Sequence, residues 1–415
     1  MEHLVYWIWL SLRCGAGSEL GSYLLKHFAS PKEIYEADPS ALSAVDGIDN
    51  NIMAVLLDRD LSLSMRILEY CERVNVGIMT LSSSVYPERL RSIHAKPLLL
   101  YYRGRIPDID DHVMIACVGT RKCSKSGAVN AERLGRELAC AGAVVVSGMA
   151  LGIDACAQRG ALSAGGHTIA VLGCGIDRVY PPENRELMEE IAEHGTLITE
   201  YAPGSDPAGK HFPVRNRIIS GLCQGTVVVE ADLYSGSLIT ARAARMQGRD
   251  LFAFPGNPED RRSEGTNTLI REGAKLVTCA ADILNEYELL YPHRIFTEKI
   301  PSSGFSRSKK AWTAESPALH TERRGFSPRA ERNGTAPEPI KFIPRKRRPD
   351  TDKLDKWESD VLSCITETMS VEEIAAVVSK KTGVSCDTGQ LLGALTMLEI
   401  GGFLEAEPGG SYRPL

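Results

Sequence analysis

Between residues 76 and 291 the sequence repeats one pattern, a short β-branched run followed by a stretch of helical periodicity. Residues 113–118 (VMIACV), 143–146 (AVVV), 168–172 (TIAVL), 197–199 (LIT), 226–229 (TVVV) and 251–254 (LFAF) read as strands buried on both faces. Helical patterns lie between them, for example at 130–140 and 239–247. This alternation predicts an α/β fold, a Rossmann-like doubly wound parallel sheet. Such sheets bind ligands beyond the carboxyl ends of their strands.

The flanking segments differ in character. Residues 1–75 read as a small helical domain whose glycine turns, Cys14-Gly-Ala-Gly17 and Asp46-Gly-Ile48, have two readings. They are either turns of the helix-hairpin-helix kind, with amides that touch a phosphate backbone, or plain packing turns. Residues 292–352 form a predicted basic, flexible linker. From Pro301 to Asp350 there are twelve Lys/Arg against five Asp/Glu, a net of +7, which leaves −12 for the rest of a chain whose total is −5. Its Arg345-Lys-Arg-Arg348 cluster suits either nonspecific attraction to nucleic acid or a solvated tether. Residues 353–415 show three helical patterns and a hairpin-like end, the layout of a winged-helix module. Residues 384–402 hold no Lys or Arg but do hold Asp387 and Glu399, so a protein contact is expected there rather than a duplex groove.

A net charge of −5 argues against a generally basic nucleic-acid binder, so any anion site in the folded core is a local pocket. Eleven cysteines without a CxxC pair indicate neither zinc nor a disulfide framework, and fit reduced thiols in the cytoplasm. The opening residues are apolar but carry no basic leader, and no run is long enough to span a membrane.

Four loops are expected to converge at the strand ends. The first, Val118-Gly-Thr-Arg-Lys-Cys-Ser124, offers Gly119 for close backbone approach and Arg121 as a bidentate phosphate donor; Ser124 or Ser126 is the candidate cap of the helix that follows. In the second, Ser147, Gly148 and Gly152 fit a tight turn against an anion. Small residues at 235–241 (SGSLITA) open a helix with exposed amides. The fourth is the run Phe212-Pro-Val-Arg-Asn-Arg-Ile-Ile-Ser-Gly-Leu222, with Pro213 at the first helical position and Arg215 and Arg217 in the opening turn. Two arginines at a helix N-terminus are locally unfavourable unless an anion faces them, which makes this a phosphate-binding end or, alternatively, two surface arginines that pair with carboxylates. Asn216 and Lys210 extend this edge, and Phe212 is placed either to stack on a base or to join the core.

GxGxxG and GxxxxGK[ST] are both missing, which removes the usual basis for a dinucleotide site or for ATP hydrolysis. Asp154, Asp177, Glu200 and Glu230 form no evident acid/base pair, and His167 and His211 have no partner that the sequence identifies.

Taken in order, residues 118–121 (VGTR), 147–154 (SGMALGID), 212–222 (FPVRNRIISGL), 229–231 (VEA), 235–241 (SGSLITA) and 255–257 (PGN) resemble the DprA/Smf family, DNA-processing protein A. The resemblance covers about 76–288, and its RNRIISGL run is highly specific. It implies a bacterial cytoplasmic protein, without enzymatic activity or cofactor, that binds single-stranded DNA, forms a homodimer through its core and helps load the RecA recombinase during natural transformation. The family's DNA pocket corresponds to Gly119, Thr120, Arg121, Ser147, Gly148, Phe212, Arg215, Asn216 and Arg217, with Lys210 in a loop of variable spacing. Two other classes compete with this reading: a small-nucleotide enzyme of the phosphoribohydrolase type, which lacks its PGGxGT loop here, and a transcription regulator acting through the winged helix.

Overall fold

The computed structural model describes residues 2–301, 354, 356–382, 388–400, 403–407 and 411–414. Six helices open the chain: α1 (Glu2–Cys14), α2 (Leu20–Leu24), α3 (Pro31–Glu36), α4 (Pro39–Ser43), α5 (Asn50–Leu56) and α6 (Ser62–Arg73). Side-chain caps start three of them, because Ser30 accepts from the Glu33 amide, Asp38 from Ala41 and Asp49 from Ile52. Pro31 and Pro39 sit just inside two of these starts, where a missing N–H costs nothing. Trp9, Leu20, Leu24, Ile34 and Leu56 are buried in one cluster with Leu99, Leu172 and Leu197 of the sheet, so these helices and the sheet share a core.

Nine strands form the main sheet: β1 (Gly77–Thr80), β2 (Leu99–Gly104), β3 (Met114–Val118), β4 (Val144–Ser147), β5 (Thr168–Leu172), β6 (Thr196–Thr199), β7 (Gly225–Val228), β8 (Asp250–Ala253) and β9 (Lys275–Leu276). The order is β1-β2-β6-β5-β4-β3-β7-β8-β9. All six runs read as strands are present, and they pair in parallel. The sequence pattern had not shown the antiparallel edge, where β1 pairs β2 and β2 pairs β6, or the two-residue β9. Connections run from β3 to β6 on one side and resume at β7 on the other. The strand order therefore reverses at β3/β7, where open α/β sheets place ligands.

The connecting helices are α7 (Glu88–Arg91), α8 (Lys125–Cys140), α9 (Ile153–Ser163), α10 (Arg185–His194), α11 (His211–Gly221), α12 (Ser237–Met246), α13 (Arg261–Arg271) and α14 (Ala280–Leu284). α8 and α9 pack closely enough that a Cβ on Gly135 would stand 2.0 Å from the Ala157 carbonyl oxygen, so only glycine fits there.

Toward the C-terminus lie α15 (Lys356–Leu362), α16 (Val371–Thr382) and α17 (Thr388–Ile400), with an antiparallel sheet ordered β10 (Met369–Ser370), β12 (Ser411–Pro414), β11 (Leu404–Glu407). Val361, Ile374, Val378, Leu391, Leu395 and Leu404 make its separate core. This unit touches α12: Glu358 pairs with Arg242 at 3.7 Å, and Met397 is buried with Ile239 and Ala243. The basic cluster at 345–348 and Asp387 lie outside the described residues. Among those described, no helix is long and apolar enough to cross a membrane, and ten cysteines are free thiols.

Candidate nucleic-acid interface

The loop after β3 is fixed from both sides. The Thr120 amide donates to the Glu230 carbonyl at 2.7 Å, and the Ile153 amide donates to the Thr120 carbonyl at 3.3 Å. A Cβ on Gly119 would lie 2.8 Å from the Glu230 carbonyl oxygen and 2.5 Å from Ile153, so the close approach made by this glycine is to the protein itself. Beyond the loop, Arg121 is exposed, with its guanidinium carbon 5.3 Å from the centre of the Phe212 ring. Ser124 caps α8 by accepting from the Gly127 amide at 2.9 Å, and its hydroxyl donates to Glu230.

After β4, the Ser147 hydroxyl is buried and donates to the Cys117 carbonyl at 2.6 Å, so it does not face a ligand. The Gly148 amide donates to Asp154 at 3.1 Å. A Cβ on Gly148 would stand 2.6 Å from the Arg215 guanidinium.

Arg215 and Arg217 lie elsewhere than expected. α11 starts at His211, so Pro213 is its third residue and the two arginines fall on the second turn. They are 4% and 3% exposed. Arg215 donates to the Gly148 carbonyl at 2.9 Å, to the Val171 carbonyl and to the Asn216 side chain at 3.1 Å. Arg217 donates to Glu200 at 2.6 Å, while its Nε and Nη1 are buried without a hydrogen-bond partner. A buried guanidinium needs a nearby counter-charge, which Asp154 supplies to Arg215 and Glu200 to Arg217. Burial raises both carboxyl pKa values and the arginines oppose the rise. Burial likewise pushes the Arg215 guanidinium down to about 10 against the pull of Asp154. The two arginines thus brace the crevice from behind.

Phe212 is half-buried at the front, its ring 5.2 Å from Tyr180 and tilted by 30°. Gly173 leaves room for it, since a Cβ there would meet the ring at 2.8 Å. Lys210 is exposed at the cap position of α11. Asn216 donates at 3.5 Å to the Gly236 carbonyl, which ties this helix to the start of α12. The first amides of α12 are taken up locally, Ser237 by the Ser235 hydroxyl at 3.4 Å and Leu238 by the Ser235 carbonyl at 3.0 Å, so this helix start does not present them to an anion as expected. Arg121, Lys210 and Phe212 therefore front the crevice; Gly119, Thr120, Ser147, Gly148, Arg215, Asn216 and Arg217 shape it. Tyr180 was missed in the sequence, and the proline pair that follows it was the available signal of a built loop.

Both histidines have partners after all. His211 bonds the Gly173 carbonyl at 3.1 Å and stacks on Tyr201 at 4.1 Å. His167 meets the Thr196 hydroxyl at 2.9 Å. The acidic side chains are also engaged, Glu230 by the Ser124 amide at 2.8 Å and Asp177 by the Gly204 amide at 2.8 Å. The Gly17 amide donates to Glu200 at 3.4 Å, so this glycine turn packs on the sheet domain rather than presenting that amide to a phosphate. Among the described residues no His, Cys, Asp and Glu cluster could hold a metal ion.

A mostly parallel sheet, with exposed Arg121 and Lys210 and the half-buried Phe212 beyond its strand ends, defines a Rossmann-like α/β protein with a crevice fronted by cations. Residues 77–288 match the model of the family described as DNA recombination-mediator protein A, and the chain belongs to this DprA/Smf family. The resemblance read from the motifs is thereby borne out. The DNA processing protein DprA of Streptococcus pneumoniae is 47% identical over 207 residues, 49% of this chain and 71% of that one. Protein Smf of Synechocystis is 31% identical over 412 residues, 98% of both chains. The X-ray structure of the S. pneumoniae DprA aligns with a TM-score of 0.59 at 36% identity, covering 67% of this chain and 95% of that one.

Proposed function

We propose that this protein is a single-stranded DNA-binding recombination mediator that helps load RecA on incoming strands in natural transformation, acting as a cytoplasmic homodimer. The observation that carries the proposal is the exposed Arg121, in the loop after β3, with its guanidinium carbon 5.3 Å from the centre of the Phe212 ring, and exposed Lys210 two residues before that ring. Cations beside an aromatic ring suit successive phosphates and an unpaired base. Family membership supports the recombination role. Glu200 is held by Arg217 and Glu230 by Ser124, which leaves the phosphoribohydrolase reading without a free acid at either position and favours binding over catalysis. Within this proposal residues 1–75, 76–291, 292–352 and 353–415 are a helical domain, the DNA-binding core, a linker and a winged-helix module.

The test is fluorescence anisotropy of labelled oligo-dT across a salt series, without nucleotide or metal. Arg121→Ala is expected to weaken binding and to lower the salt slope by about 1. Unchanged affinity and slope in that variant would remove Arg121 from the pocket. No binding by the wild type at low salt would move the reading to a small nucleotide, tested by turnover of nucleoside monophosphates.

A further inference from the structure

α12 and α13 of the core and α15 of the C-terminal unit enclose a cavity of 360 Å³, within the range of small-ligand pockets, roughly 300–1,000 Å³. Tyr234 lines it from the core and Trp357 from the C-terminal unit. We propose that this cleft receives an unpaired base of the strand that leaves the Arg121 crevice, stacked by Trp357 and Tyr234, with Lys356 meeting the adjoining phosphate. The inference rests on the single-stranded DNA reading and extends it to a second subsite.

Position is the first argument. Tyr234 stands in the loop after β7, and two residues on the Gly236 carbonyl accepts from Asn216 of α11. The helix that carries Phe212 is thereby joined to the loop that carries Tyr234. Chemistry is the second. Tyr234 is 39% exposed, so its ring is open to a partner, and stacking on aromatic rings tolerates any base. Trp357 is half-buried and lines the same cavity, which gives the cleft a second aromatic side chain. Charge sets the orientation of the ligand. Glu272 and Asp360 also line the cavity and disfavour a phosphate inside it. Arg245 is held by Glu272 at 3.3 Å and Arg242 by Glu358 at 3.7 Å, whereas Lys356 is exposed and makes no ion pair among the described residues. The base enters and the backbone stays at the rim.

The experiment uses the full chain and oligo-dT of two lengths, one spanning the Arg121 crevice alone and one long enough to reach the cleft. The long oligonucleotide is also prepared with 5-iodouracil for photocrosslinking and peptide mapping. Wild type should crosslink at Trp357 or Tyr234. Trp357→Leu and Tyr234→Leu should each lose about tenfold in affinity for the long oligonucleotide and nothing for the short one. Tyr234 is partly exposed, so its variant remains informative if Trp357→Leu disturbs the C-terminal unit. Crosslinks elsewhere, with both variants binding the long oligonucleotide as wild type does, would overturn the proposal. If Arg121→Ala weakens binding while the cleft variants do not, the cleft fails and the first reading stands. If only the cleft variants weaken binding, DNA reaches the cleft without the Arg121 crevice, which overturns both the first site and the cleft as its continuation.

Discussion

Arg217 shows how far a side chain's role can lie from its sequence neighbourhood. Beside Arg215 in an apolar helix it reads as a phosphate donor, yet its partner Glu200 lies 17 residues earlier, at the end of β6. Local sequence carries no sign of that pairing, nor of Asp154 beside Arg215. Removing one member leaves the other charged and buried. Glu200→Ala should cost about 3–5 kcal/mol of stability in urea denaturation, and a loss below 1 kcal/mol would show that water reaches the guanidinium. His167 makes a pH prediction. Burial, with smaller contributions from His112 and Arg105, holds its pKa down from 6.5 to about 4 in the folded chain. A depressed folded-state pKa contributes stability above pH 6.5 that is lost as pH falls toward 4. Relative to His167→Gln, the wild type should therefore lose up to about 3 kcal/mol over that window. Parallel stability curves for the two proteins would contradict the assignment.

At the scale of elements, β3 to β8 were legible because a strand buried on both faces must be apolar throughout. β9 was not, since Lys275 and Leu276 are both exposed and leave no apolar run. The start of α11 was misplaced because Pro213 suits the first helical position but is also tolerated elsewhere in a first turn. In the first domain α2 buries Leu20 and Leu24 at i and i+4, a spacing too short to mark a five-residue helix in the sequence. The cap of α8 was legible, and it does more than cap, because Ser124 also bonds Glu230 across to β7. Ser124→Ala should cost about 1–2 kcal/mol in chemical denaturation, more than Ser126→Ala, and equal losses would place the cap elsewhere.

For the whole molecule, the sequence divided into segments more sharply than the structure does. Trp9, Leu20 and Leu24 share a buried cluster with Leu99, Leu172 and Leu197. A chain starting at residue 76 exposes that apolar face and should melt well below the full protein or aggregate. Ending the chain at residue 300 instead removes the Arg242–Glu358 pair and the Ile239–Met397 contact, so the remaining core should keep its melting temperature within a few degrees. Calorimetry of the two truncations, with light scattering to detect aggregation, tests this asymmetry. Equal destabilisation would mean that the C-terminal unit is as integral as the first helices.

The sockets that hold Arg215 and Arg217 limit how this site can be transplanted. The arginine run of α11 is one half of a lock whose other half is spread over Gly148, Asp154, Val171 and Glu200, four positions on three separate stretches of chain. Grafted alone onto another parallel sheet, the run would bury two charges without counter-ions. An engineer who wants this crevice must move the sheet ends that surround the helix as one piece.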